Sequence, residues 1–189
     1  MIEIRKMEPE NKAYLNLISN RYLYAEIAVP VLKENGYVLT YHPLPNALTR
    51  ECVNVEPDFY EVREVYFAQW GGRLAGQIVV VENWNRLALV WDVRVHATVR
   101  RMGVGSEMLR VAEVWARERG LRGVMLETQD TNAPACRFYE QCGYMLGGVD
   151  MCLYAGLEKQ GDRQQPERAL YFYKIFSPAD GDRDTSATQ

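Results

Sequence analysis

The stretch that decides the fold reads Val93-Arg94-Val95-His96-Ala97-Thr98-Val99-Arg100-Arg101-Met102-Gly103-Val104-Gly105-Ser106. Before it, Leu87 to Val95 is rich in β-branched and aliphatic residues and reads as a strand. After it, from Ser106 to Arg119, apolar residues recur at Met108, Leu109, Val111, Ala112, Trp115 and Ala116. That is the stripe of an amphipathic helix, which Gly120 can end in a left-handed conformation. Strand, glycine turn and helix are contiguous. The first amides of a helix lack intrahelical acceptors and carry the positive end of its dipole, so the turn is an anion seat. Glycine at 103 and 105 removes the Cβ atoms that would hold a phosphate off the backbone and permits positive φ, while Arg100 and Arg101 add positive charge. A diphosphate suits such a turn. The plainer alternative is a pair of glycines that only redirects the chain.

Two nucleotide signatures fail here. A Walker loop needs Gly-x-x-x-x-Gly-Lys followed by Ser or Thr, which is absent, and the dinucleotide fingerprint breaks because Met108 stands where its third glycine belongs. Upstream, Val65 to Trp70 and Ala75 to Val81 flank Gly71-Gly72 as the two arms of a tight hairpin, and Asn83-Trp84-Asn85 turns the chain into the strand at Leu87. Downstream, Val124 to Thr128 is a short buried strand, and strand-helix-strand order favours a right-handed parallel crossover. Asn132 can cap a second helix with Pro134 in its first turn, and Gly143 closes it. Tyr144 to Tyr154 and Ala169 to Phe176 are further β-rich runs, separated by a polar loop from Glu158 to Glu167. Pro9 to Leu32 reads as an interrupted helix, and Asn35-Gly36 with Pro43 and Pro45 as irregular chain.

With 189 residues, 48% of them hydrophobic and 25% charged, the chain is expected to form one soluble globular domain over residues 1–176, followed by a polar, disordered tail at 177–189. No apolar run approaches the roughly 18 residues of a membrane span, and the N-terminus lacks an apolar signal region, so a cytoplasmic location is expected. Cys52, Cys136, Cys142 and Cys152 form no Cys-x-x-Cys pair and His42 and His96 lie far apart, so reduced thiols and no metal are expected. A net charge of −3 without a basic, aromatic-rich stretch argues against nucleic acid. Glu51, Glu56, Asp58, Glu61 and Glu64 form either a solvated face or a cation-attracting rim.

The segment from Val93 to Gly105 resembles the GCN5-related N-acetyltransferases (GNAT), whose hallmark is Gln/Arg-x-x-Gly-x-Gly/Ala after the fourth strand; here it is Arg100-x-x-Gly103-x-Gly105. Asn132-x-x-Ala135-x-x-Phe138-Tyr139 is similar to the family's second hallmark. Within the family, the likeness narrows to streptothricin acetyltransferases through Asn83-Trp84-Asn85, Trp91-Asp92, Val124 to Asp130, Gly147 to Tyr154 and Ala169 to Lys174. It covers about residues 56–176; His96-Ala97 departs from the proline common after the strand, and Arg101-Met102 from the Gly/Lys often seen inside the turn. The resemblance implies a GNAT fold of the α/β (α+β) class: a mixed central sheet of about six to seven strands with flanking helices, in which the fourth and fifth strands splay apart.

It also implies direct acetyl transfer from acetyl-CoA to an amine, with no acyl-enzyme. Pantetheine would pair with the backbone of Val93 and Val95, the diphosphate would fall on Arg101, Gly103, Val104, Gly105 and Ser106 beside Arg100, and Asn132 and Tyr139 would complete the cofactor site. Tyr139 matches the family's frequent general acid, against the alternative of a core aromatic with a satisfied hydroxyl. For the base, Glu127 and Asp92 are each a carboxylate in an otherwise apolar strand, which is costly unless the charge has a partner or a task. Glu127 is preferred slightly, and a strand-end carboxylate paired with backbone or arginine is the alternative for both. Glu82 and Trp84 join Asp92 and Glu127 as substrate-wall candidates. The expected acceptor is the β-lysine amine of streptothricin; another cationic small molecule, a peptide or protein amine, or a non-catalytic acyl-CoA sensor are the competing readings. Family members often pair through their C-terminal strands, so a homodimer is a further expectation of the resemblance.

Overall fold

Period-two runs become strands and the 3.6-period stripe becomes the longest helix. The computed structural model describes residues 1–52, 54, 63–156 and 167–177. The elements are β1 (Ile2–Lys6), β2 (Arg21–Lys33), β3 (Gly36–Glu51), β4 (Arg63–Trp70), β5 (Arg73–Glu82), β6 (Ala88–Val95), α1 (Val104–Glu118), β7 (Gly123–Gln129), α2 (Ala133–Gln141), β8 (Met145–Asp150) and β9 (Ala169–Ile175). All strands but β2 and β3 belong to one 7-stranded mixed sheet, within the expected range. By internal contacts the chain divides into two compact units: one takes its described residues from 1–18, 56–125 and 174–189, the other from 19–55 and 126–173.

In the first unit β1, β4, β5 and β6 lie side by side in that order, each antiparallel to its neighbour. Gly71 and Gly72, at φ +57° and +77°, turn β4 into β5, a left-handed backbone that glycine adopts without a Cβ penalty. Helix α1 buries Val104, Met108, Leu109, Ala112, Trp115 and Ala116 against these strands. Each large apolar side chain so buried contributes about 1.5–3 kcal/mol.

In the second unit β8 pairs with β9, and α2 buries Ala133, Cys136 and Tyr139. A long two-stranded ribbon, β2 with β3, packs on α2 and β8. It is pinned to α2 by Arg137, which grips both oxygens of Glu26 and lies 3.5 Å over the Tyr41 ring.

Pro9 to Leu32 is the main correction: only Lys12–Tyr14 is helical, a short 3-10 turn, and from Arg21 the chain is strand. Tyr22, Tyr24, Ile27, Val29 and Val31 are aromatic or β-branched, and Pro30 removes an amide a helix interior would need. Asn35-Gly36 is likewise ordered: β2 turns into β3 with Lys33 opposite Gly36, whose φ is +122°. Pro43 and Pro45 fall in β3, at the register shift that follows Tyr24. Of the acidic group, Glu64 is held by Lys6 at 3.2 Å and Arg119 at 2.6 Å and Glu51 faces Arg21, whereas Glu56, Asp58 and Glu61 lie outside the described residues. So do the polar loop short of Glu167 and the tail beyond Ser177. Cys136 is buried, with its thiol pushed up by burial, but Cys152 is exposed.

Candidate functional site

The glycine turn opens α1 as its sequence demands, with one change in how it does so. Positive φ falls on Arg101 (+66°) and Gly103 (+84°), the latter the helix N-cap, while Gly105 is buried inside the first helical turn. The first intrahelical bond is Glu107 N–H to the Gly103 carbonyl at 3.0 Å, so Val104 and Gly105 precede the hydrogen-bonded ladder. Arg100 and Arg101 are exposed, and Arg100 Nε donates to the Val95 carbonyl at 3.2 Å, which tethers the guanidinium to the end of β6. A left-handed entry, leading helix amides and two arginines together suit a diphosphate.

On β6, Val93 faces Ile78 and Val95 faces Gly76 across the β5 pairing, and the register shifts so that Trp91 bulges between Val90 and Asp92. Such a bulge re-aims neighbouring side chains. Asp92 is a paired carboxylate: it accepts from Arg94 Nε at 2.8 Å and from Gln77 Nε2 at 2.7 Å. Gln77 is fully buried and its Oε1 accepts from the Asn16 amide at 2.8 Å, and Arg94, 6% exposed, reaches the Ile18 carbonyl. Asp92 thus offsets the charge of a buried arginine, the alternative the sequence left open for it. Glu82 ends β5 and Trp84, 91% exposed, tops the β5–β6 turn, which the Asn83 and Asn85 amides tie to the Met125 sulfur.

Glu127 stands differently. It lies on β7 in the second unit, and burial lifts its carboxyl from the usual range to about 7, against the lowering effect of a hydrogen bond from Tyr154. The Tyr154 hydroxyl is 2.7 Å from Oε1 and 2.8 Å from Oε2, and itself accepts from Gln129 Nε2 at 2.8 Å. Gln129 follows Glu127 at period two on β7 and so shares its face, and Thr131 lies in the turn just beyond the strand. Tyr22 of the ribbon meets Thr131 at 3.0 Å; Thr131 donates to Glu167 at 2.7 Å; Arg50 closes the chain on Glu167 at 2.7 Å. No role for Tyr154, Gln129, Tyr22, Thr131, Glu167 or Arg50 was legible in the sequence. The one signal available was the polar run Glu127-Thr128-Gln129-Asp130-Thr131 that follows the apolar Val124-Met125-Leu126.

Tyr139 is 5% exposed and packs its ring on Phe138, Tyr144 and Phe172 at 5.4–6.5 Å between centroids. Asn132 caps α2 through its carbonyl, which accepts from the Ala135 and Cys136 amides, and its side chain makes no cap hydrogen bond. Glu127, Asn132 and Tyr139 belong to the second unit, whereas the glycine turn, Asp92, Glu82 and Trp84 belong to the first.

The Acetyltransferase (GNAT) family model matches residues 35–144. The chain belongs to this family. A streptothricin acetyltransferase of Escherichia coli is 32% identical over 92% of this chain and 96% of its own length. Streptothricin acetyltransferase A of Bacillus subtilis (strain 168) is 39% identical over 53% of this chain and 56% of its own length. A Bacillus anthracis structure described as a streptothricin acetyltransferase in complex with acetyl coenzyme A superposes with a TM-score of 0.83 at 29% identity, covering 93% of this chain and 100% of the other. A nourseothricin acetyltransferase superposes with a TM-score of 0.76 at 29% identity over 92% and 98%. This GNAT protein is therefore an acetyl-CoA-dependent N-acetyltransferase. Among the described residues no helix is long and apolar enough to cross a membrane.

Proposed function

We propose that this GNAT enzyme acetylates the β-lysine amine of streptothricin, with Glu127 taking the proton from the acceptor ammonium and Tyr139 returning one to the departing thiolate. The ammonium first gives one proton to Glu127, directly or through water; the free amine attacks the thioester carbonyl and the new C–N bond forms as the C–S bond breaks; the Tyr139 hydroxyl protonates the departing sulfur, and the second proton shed by the nitrogen passes through water to restore Tyr139. The diphosphate of acetyl-CoA sits on the turn from Arg100 to Ser106, and pantetheine runs along Val93 and Val95. Asn132 completes the cofactor site, and Glu82 and Trp84 wall the acceptor.

One observation carries the assignment of the base: Glu127 is a buried carboxyl poised near neutrality with both oxygens on one hydroxyl, whereas Asp92 is already committed to Arg94 and Gln77. A group that titrates near working pH can accept a proton and release it again. The likeness to streptothricin and nourseothricin acetyltransferases supports the acceptor. The chain through residue 176 acts as one catalytic domain in this reading, in the cytoplasm where acetyl-CoA is supplied. Incubation with acetyl-CoA and a panel of streptothricin, aminoglycosides, polyamines and basic peptides tests it. A mass gain of one acetyl group on the β-lysine of streptothricin is expected; transfer to the other amines alone would refute the acceptor, and cofactor binding with no amine-dependent thiol release would refute catalysis.

A further inference from the structure

We propose that Tyr154 is the positioning residue for Glu127: its hydroxyl, backed by the Gln129 amide, spans both carboxylate oxygens and holds the acid in one orientation. The inference rests on the reading of Glu127 as the base.

The geometry is directional. An ionised carboxylate only accepts, so the Tyr154 proton must point at Glu127, where it lies 2.7 and 2.8 Å from the two oxygens. Gln129 Nε2 donates into the phenol oxygen from the other side at 2.8 Å, which leaves that oxygen no reason to turn away. Because Glu127 and Gln129 are two apart on β7, the strand presents an acceptor and a donor side by side, with Tyr154 seated on both. The turn carrying Tyr154 is fixed in its own right. Asp150 Oδ1 accepts from the Cys152 amide at 2.7 Å and the Leu153 amide at 2.9 Å, and the Ala155 amide reaches the Cys152 carbonyl. An Asp binding backbone two and three residues on is a rigid local turn. Behind Gln129, the Tyr22, Thr131, Glu167 and Arg50 chain anchors the same face of β7 to the ribbon.

Other titratable groups that act on Glu127 or feel its charge are Glu167 ahead of β9, Tyr171 on β9 and Cys136 on α2. Glu167 opposes its ionisation by like charge, and burial keeps the tyrosine and thiol protonated. The Tyr154 hydrogen bond favours the carboxylate, so removing its hydroxyl shifts Glu127 further toward the acid form.

Tyr154→Phe is compared with Glu127→Gln and Gln129→Leu by rate–pH profiles and by the 13C titration of the Glu127 carboxyl, assigned by its loss in E127Q. For Y154F the expected result is an upward move of the ascending limb of kcat/KM, and of the NMR midpoint, by about one pH unit. At pH 7 the rate falls about fivefold and recovers on the alkaline side, with KM for acetyl-CoA unchanged. Q129L gives a smaller move in the same direction and supplies the readout if Y154F fails to fold. An unmoved limb and midpoint in these variants, with the limb lost in E127Q, overturns the role of Tyr154 while Glu127 stands. A limb that survives E127Q overturns Glu127 as base, and the NMR midpoint still decides whether Tyr154 governs its ionisation.

Discussion

Glu127→Gln should make the protein more stable at pH 8 while removing its basic activation. Burial holds the carboxyl at about 7 in the fold against 4.5 for the free group. At about 1.36 kcal/mol per unit, keeping it ionised costs the native state roughly 3 kcal/mol once the pH exceeds 7. The sign follows from linkage: the native state binds the proton more tightly, so the cost is absent below about pH 4.5, grows through the interval and levels off above about pH 7. A neutral amide avoids it, and its oxygen can still accept from Tyr154, though one of two close oxygen contacts is lost. The net gain at pH 8 should then be about 1–3 kcal/mol, or roughly 2–4 °C in Tm for each kcal/mol in a chain of this size. Urea unfolding of wild type and E127Q at pH 5 and pH 8 measures it, beside the pH profile of acetyl transfer. Wild type loses stability relative to E127Q as pH rises, and E127Q loses the rate limb near pH 7. Equal stability difference at both pH values, or a less stable E127Q at pH 8, would refute the claim that this carboxyl is strained by burial.

The remaining predictions concern the groups around the same chemistry. Tyr139→Phe removes one hydroxyl from a ring packed on Phe138, Tyr144 and Phe172. Turnover should fall about 10²-fold or more while the dissociation constant for acetyl-CoA, by calorimetry, stays near wild type. Asp92→Asn strips the countercharge from the buried Arg94, so urea unfolding should reveal a loss of about 2–4 kcal/mol with the rate limb near pH 7 retained. If the limb goes and the stability does not, Asp92 is the base. Gly103→Ala forces a Cβ into φ +84°, costing about 1–2 kcal/mol and weakening acetyl-CoA binding more than it slows turnover at saturation.

How much could be read in advance depends on how local the signal is. The Gly71-Gly72 hairpin, helix α1 with its Gly120 stop at φ +64°, β7 and helix α2 all follow from short-range patterns, and each was legible within a residue or two. The ribbon was not. Arg21 to Lys33 has strand-forming residues, but its partner begins at Gly36 and includes two prolines, so the pairing that decides its state is invisible in either segment alone. Gly105 shows the limit on a finer scale: positive φ was expected to be open to both glycines, and it falls on Gly103 and on Arg101 instead of Gly105, because only the helix's own start fixes which residue must turn.

By itself the sequence determined the family and the strand, glycine turn and helix around Arg100, Gly103 and Gly105, because that motif is contiguous and its geometry is set by neighbouring residues. Tertiary structure alone separated Asp92 from Glu127. Both are single carboxylates in apolar strands, and what distinguishes them is the partner each meets: Arg94 and Gln77 hold one, while burial and the hydroxyl of Tyr154, 27 residues away, poise the other. A carboxyl's ionisation depends on the dielectric and the donors around it, and those are assembled from strands, turns and ribbon that the chain brings together only on folding.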